Sequence, residues 1–395
     1  MNLFIPENMQ PLDFTYANEV AYLCHAVTER RVFNKELREA PYVPLKATVL
    51  REVLGRRKAL PAMEEALSRG VLYTSGSYSP GAYSRLYSLG PDYRDMRAKP
   101  YPLSPGRLLN NLTEYRKARH KEYELESTGI YATLLADLKL IEIGDIVEED
   151  LWAWCGGDVI KYNCAAMSVD KIRDKDFFGT KCKNGRFHTN VTNLKRELRA
   201  KLTIKGQPLR FYDISCSQPL FLGLLAKKSL LHIQSNTIQP PTPPSTHYDG
   251  HLDDNEIKTY IHQCTTNTFY SNIAQTLNIT RDQAKHRVML YMFDEPWKPL
   301  PVNRYMATHF PSIDALARWM KRDSRANLAN CLQSAESDFV IHRVCTRLKQ
   351  KYPELPLVTI HDSIGTTCGN EDIIRDMMLL EFKGLGVEPL LKPGC

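Results

Sequence analysis

Ten cysteines are scattered through this 395-residue chain without a single CxxC pair. Cys164, Cys182 and His188 do not stand at a zinc-ligand spacing either. Reduced thiols are therefore expected rather than a metal site or a disulfide framework. The first residues, MNLFIPENMQPLDF, contain no basic stretch leading into an apolar one, and no run approaches the length of a membrane span. The expectation is a soluble intracellular protein with no membrane partner. Internal repeats and low-complexity tracts are also missing, which argues against a solenoid. What is present is ordinary in bulk. The length allows two or three domains, 43% hydrophobic residues can furnish their cores, and a formal charge of +7 suits a nucleic-acid partner.

One stretch stands out against that background. Leu357, Val358, Thr359 and Ile360 form a short β-branched run that predicts a strand entering a core. It stops at His361-Asp362-Ser363, and Gly365 lets the chain turn back through Ile364 and Thr366. Asp362 would then ride on the tip of a buried hairpin, a rigid mount of the kind a metal site needs. Upstream, Phe211-Tyr212-Asp213-Ile214-Ser215-Cys216-Ser217-Gln218-Pro219-Leu220 has the same order: an apolar run, Asp, small residues, then a helix-like continuation through Leu225. Two such carboxylates side by side in one sheet would share a pair of Mg²⁺ ions and serve phosphoryl transfer. Between them, Arg281, Lys285, Met289 and Phe293 recur every four residues. A helix capped by Thr280 would present two cations and then an aromatic on one face, towards a triphosphate and its sugar.

Taken in chain order, the segments at 211–220, 280–293 and 357–366 resemble motifs A, B and C of the right-hand polymerase superfamily. That superfamily holds the DNA polymerase I-like family A enzymes and the single-subunit phage and mitochondrial RNA polymerases. Gly185-Arg186-Phe187-His188-Thr189, with Asn193-Leu194 and Arg199, resembles the Gly-Arg segment that precedes motif A in family A. Arg325 through Gln333 to Asp338 resembles the helix between motifs B and C. The five segments cover about the last half of the chain. The resemblance implies an α+β fold, with a palm built on an antiparallel sheet and helical fingers and thumb. It implies template-directed nucleotidyl transfer with two Mg²⁺ ions, or Mn²⁺ in their place, held by Asp213, Asp362 and the backbone carbonyl of Ile214. Arg281 and Lys285 would bind the incoming phosphates, and His361 would position the primer end. Arg186, Arg199, Arg325 and Gln333 would meet nucleic acid. The partners implied are nucleoside triphosphates with a DNA primer–template, or with a DNA template and nascent RNA.

The motifs divide over the sugar. Asp-x-Ser-Cys-Ser at 213–217 and His-Asp-Ser-Ile-Gly-Thr at 361–366 resemble the RNA polymerases, and Ser363 stands where family A usually has Glu. Gln218, five after Asp213, is nearly as bulky as the Glu with which DNA polymerases exclude a 2′-hydroxyl; the RNA enzymes have Gly there. Phe293 replaces their Tyr and gives up a hydroxyl partner for the ribose. A steric block and an unmade hydrogen bond both favour DNA synthesis. A compact RNA polymerase or primase is the alternative, and a winged-helix initiator or regulator that binds without catalysis is a third reading.

The rest of the chain is read in order. Residues 45–54 and 59–68 predict helices closed by Gly55 and Gly70. Residues 71–75 and 83–89 predict a hairpin around a turn at 76–81. Helix, turn, helix and hairpin make the pattern of a winged helix, with Arg56, Arg57, Lys58 and Arg85 available to phosphates. Four prolines between 91 and 105 read as a linker. The following helical stretch carries the run Arg116-Lys117-Ala118-Arg119-His120-Lys121, a solvated face or a thumb-like grip on duplex phosphates. Asp249, Asp253 and Asp254, beside prolines 240, 241, 243 and 244, read as a solvated loop. The expected domains are 1–95, winged-helix-like; 96–180, linker and thumb-like; and 181–395, palm and fingers.

Overall fold

Leu3, Phe4 and Ile5 make Asn2–Pro6 a strand with a buried interior, in a computed structural model that describes residues 1–10, 13–76, 84–235, 248, 250–294 and 299–394. Its partner is Ala98–Pro102, paired antiparallel with Phe4 opposite Pro100. The expected linker is therefore a strand at this point. The reason lies in the register. Glu7 N donates to Arg97 O at 2.8 Å and Leu103 N to Met1 O at 3.3 Å. Alternation then puts Pro100 and Pro102 at positions whose missing N–H would have faced away from the ladder.

The chain forms two units that interleave along the sequence. The first comprises Met1–Ser127, Lys139–Gly179 and Thr189–Gly206. Its core runs from Leu3 to Leu112 and includes Leu23, Val53, Ala62, Val71 and Leu108. Helices Ala47–Leu54 and Arg56–Ser68 meet at Gly55, whose φ of 82° breaks the helical path. The strands Val43–Pro44, Leu86–Leu89 and Leu72–Thr74 lie in that spatial order, antiparallel. Residues 77–83, the expected turn and the start of its return strand, lie outside the described residues. Arg107–Glu126 is one long helix, and its basic run is largely spoken for. Arg116 pairs with Asp174 at 3.1 Å and Asp176 at 3.5 Å, and His120 meets Asp176 at 2.8 Å.

The second unit comprises Thr128–Leu138, Thr180–His188 and Gln207–Cys395. It holds four antiparallel strands in the order Val358–Ile360, Ser363–Thr367, Gln207–Ile214 and Leu391–Gly394. Phe339 and Phe382 stack at 3.9 Å, with Phe221 edge-on to Phe339 at 6.0 Å, so helices Ser217–Ser235 and Glu371–Lys383 share an aromatic core. Asp253 is spent as the cap of helix Asp254–Thr265, accepting from Asn255 and Glu256 N. The neighbouring Asp249 and prolines 240, 241, 243 and 244 lie outside the described residues. Thr280 caps helix Arg281–Phe293 as expected, and Gln283 returns the bond to complete a capping box. The helix stops at Phe293; Pro296 lies outside the described residues.

Candidate active site

Along Gln207–Ile214 the side chains alternate, so Phe211 and Asp213 share a face. Antiparallel pairing sets Asp213 opposite Ser363 on one side and opposite Lys392 on the other. Ile214 N donates to the carbonyl of Asp362 at 3.4 Å, which ties the hairpin tip to the end of the Asp213 strand. The two expected carboxylates thus reach neighbouring strand ends. Glycines on the two strands flanking Gln207–Ile214 leave room for Phe211 and Asp213. A Cβ at Gly365 would lie 2.4 Å from the Phe211 ring, and one at Gly394 would lie 2.5 Å from Asp213 Oδ1. The hairpin itself is pinned from below, where Asp137 Oδ2 accepts from Leu357 N at 2.9 Å and from Lys349 Nζ at 2.7 Å.

Sharp turns flank the two carboxylates. Cys216 at φ 57° swings the chain from strand into helix Ser217–Ser235, and His361 at φ 56° precedes Asp362. Left-handed backbone at a residue other than glycine is uncommon and gathers at such sites. His361 is exposed and meets His188 edge-on, with ring centroids 5.8 Å apart.

Asp362 is pushed up to about 7, first by burial and then by the charges of Glu336 and Asp213. The Asp213 carboxylate has no hydrogen-bond or ion-pair partner among the described residues. Nor, among those residues, do three or more acids, histidines or cysteines cluster to hold a metal. Two mutually repelling carboxylates still fit Mg²⁺, which binds through one or two carboxylates and keeps its other positions for water and substrate phosphates.

The cations stand on two elements, the helix Arg281–Phe293 and the strand Leu391–Gly394. Arg281 opens its helix, donates from Nη2 to Asn267 Oδ1 at 2.7 Å and lies 5.6 Å from the centre of the Tyr270 ring. Lys285 is exposed one turn later. Lys392 has its ammonium held below the usual lysine range by burial and then by Arg281 and Lys285.

Glu336 is the hub that sequence reading missed. It is 1% exposed, and both its oxygens are taken. Arg186 donates from Nε at 3.2 Å and again from Nη2, Ser217 Oγ donates at 2.8 Å, and Gln218 Nε2 completes the set. Gln218 must turn its NH₂ to the carboxylate, which leaves its Oε1 buried without a partner among the described residues. A signal for Glu336 was present. Leu328, Leu332 and Glu336 recur every four residues and all are buried, so an acid sits on the apolar stripe of its helix. Nothing comparable marks Lys392, which only the strand register puts beside Asp213.

The remaining expected residues scatter in role. Arg186 is turned inward to Glu336, and Gln333 Oε1 accepts from Asn184 Nδ2 at 2.6 Å. Arg325 is exposed at the start of its helix, 3.8 Å from Asp294. Phe293 is half-buried at the end of the Arg281 helix. Arg199 belongs to the first unit, where it donates to the carbonyls of Leu194 at 2.9 Å and Thr192 at 3.3 Å.

No protein-family model and no curated protein matches the chain. Among the solved structures similar to it is the POL domain of Pol1 from M. smegmatis, in complex with DNA primer-template and dNTP. The two share 12% identity at a TM-score of 0.33, over 72% of this chain and 65% of that one.

Proposed function

We propose that this chain is a template-directed nucleotidyltransferase that extends a 3′-hydroxyl with nucleoside triphosphates, with DNA synthesis favoured. The observation that carries the reading is the pairing of Gln207–Ile214 with Ser363–Thr367, which brings Asp213 and Asp362 to adjacent strand ends. Those carboxylates, with the Ile214 carbonyl, would hold the divalent ions. Mg²⁺ bound there supplies positive charge that acidifies a 3′-hydroxyl and neutralises triphosphate oxygens. The chain's own groups do the positioning. Arg281 and Lys285, four apart at the start of one helix, offer charge-assisted donors to the phosphates. His361 orients the primer end, and Arg325 and Gln333 meet the nucleic acid. Gln218 fills the space of a 2′-hydroxyl, and its bond to Glu336 keeps it from swinging aside. On this reading residues 181–395 carry palm and fingers and 96–180 a thumb-like region. The helix–helix–hairpin of 1–95 is a winged helix whose Arg56, Arg57 and Arg85 meet phosphates.

The test is Mg²⁺-dependent extension of a labelled primer–template, with dNTPs and rNTPs in separate reactions. Template-dependent extension with dNTPs is expected. No extension with either set ends the reading. RNA synthesis is the alternative, because the spellings at 213–217 and 361–366 resemble the RNA polymerases. A wild-type preference for rNTPs would select that reading.

A further inference from the structure

We propose that Lys392, on the strand Leu391–Gly394, is a third phosphate-binding cation beside Arg281 and Lys285, and that its ligand is the polyphosphate of a nucleoside triphosphate. The inference rests on the reading above and extends it to an element outside the motifs. Residues directly opposite in an antiparallel pair project from the same face, so Lys392 and Asp213 project together. The strand is shaped around that carboxylate, since any side chain at Gly394 would strike it. Yet Lys392 is not simply the counterion of Asp213: among the described residues it forms no ion pair with Asp213 or with any other acid. Lys285 likewise has no acidic partner among them, and Arg281 spends one donor on the neutral Asn267. The charges of Arg281 and Lys285 also act on the Lys392 ammonium and help to hold it below the usual lysine range.

Like charges that form no ion pairs among the described residues repel one another until an anion arrives. A nucleic-acid backbone brings one charge per nucleotide, spread along its length. A triphosphate brings several on one short chain, which suits three cations whose charges act on one another. The two carboxylates beside them require that this anion come with a divalent cation, as a triphosphate does.

The experiment is equilibrium binding to the full chain of dATP, dAMP, inorganic tripolyphosphate and a short duplex DNA, for wild type, Lys392→Gln and Lys392→Arg. Lys392→Gln should weaken dATP and tripolyphosphate roughly tenfold, as expected for loss of one charge-assisted contact. It should leave dAMP and duplex unchanged, and Lys392→Arg should stay within about threefold of wild type. The tripolyphosphate arm separates recognition of the phosphate chain from recognition of the nucleoside. Unchanged dATP affinity in Lys392→Gln overturns the proposal, as does an equal loss for dAMP or a loss confined to duplex. If Lys392→Gln does not fold, Lys392→Arg and the salt dependence of wild-type dATP binding decide the matter. A salt-insensitive affinity overturns the proposal. The two levels separate cleanly. Binding that needs Lys392 in a chain that never extends a primer keeps the cradle and removes the polymerase. Normal extension with an unaltered KM in Lys392→Gln does the reverse.

Discussion

Asp176 in the first unit and Asp362 in the second are both half-buried carboxylates, and their surroundings drive them in opposite directions. Burial would raise Asp176, but Arg116, Lys171 and His120 outweigh it and hold it below the usual carboxylate range. Burial also raises Asp362, and there Glu336 and Asp213 add to the effect. The same contrast holds for cations. Arg116 and His120 look like a nucleic-acid grip in the sequence, yet both are matched by acids within their own unit. Lys285 and Lys392 have no acid to match them among the described residues. Compensation, not charge density, separates scaffold from site. A matched cluster holds a fold together, whereas an unmatched one stores repulsion that a ligand can relieve.

The largest effect should come from removing the unmatched carboxylates. Asp213→Asn or Asp362→Asn should lower single-turnover primer extension by about a thousandfold or more while duplex binding persists. Near-normal rates in either variant would remove the metal-holding role. The matched counterpart, Asp176→Asn, should leave extension chemistry intact and show its cost in urea unfolding instead.

Glu336 tests the border between the two kinds of cluster, because it is matched and yet touches the site. Glu336→Gln should cost about 3–5 kcal/mol in denaturant unfolding, since it strands the guanidinium of Arg186. Among molecules that remain folded, the ratio of dNTP to rNTP use should fall as Gln218 loosens. A stable variant with unchanged sugar preference would make Glu336 a bystander.

The pH dependences should have opposite signs. Asp176, depressed in the fold, contributes stability that is present above the ordinary carboxylate range and is lost as pH falls through its folded value. Asp362, raised from 3.8 to about 7, does the reverse. Without divalent cations its contribution is full below pH about 4 and is lost as pH climbs through about 7. The loss should be about 1–3 kcal/mol, visible in urea unfolding between pH 4.5 and 8 in EDTA. Asp362→Asn should flatten that slope, and Mg²⁺ should restore wild-type stability at pH 8. A flat wild-type profile on the alkaline side would erase the contrast with Asp176.

The smallest effect concerns selectivity. Gln218→Gly should raise rNTP use relative to dNTP by about tenfold, the equivalent of about 1.4 kcal/mol. Adding Phe293→Tyr should push it further by supplying a hydroxyl. Unaltered selectivity in both would take the gate away from this position.

Local pattern carried much of this site. The β-branched run before His361-Asp362 gave the strand Val358–Ile360, and the Asp213 segment gave Gln207–Ile214 running into a helix. The four-residue spacing after Thr280 gave helix Arg281–Phe293 and its cap. These features depend on residues a few positions apart, where periodicity and capping act directly. The same reading made 91–105 a linker, because proline is judged by what it removes. Whether the missing N–H matters depends on which edge of a ladder it faces, and that is a property of the partner strand.

The sequence by itself therefore determined the local elements, the order of the motif-like segments and the identity of the two strand-end carboxylates. Only the tertiary structure decided which charges are matched. Glu336 meets Arg186 from 150 positions away and Gln218 from 118. Lys392 stands beside Asp213 only because Leu391–Gly394 pairs in one register; a slip of one residue would send it to the other face. Compensation between charges depends on distance in space, and chain separation says almost nothing about that until the strands have paired.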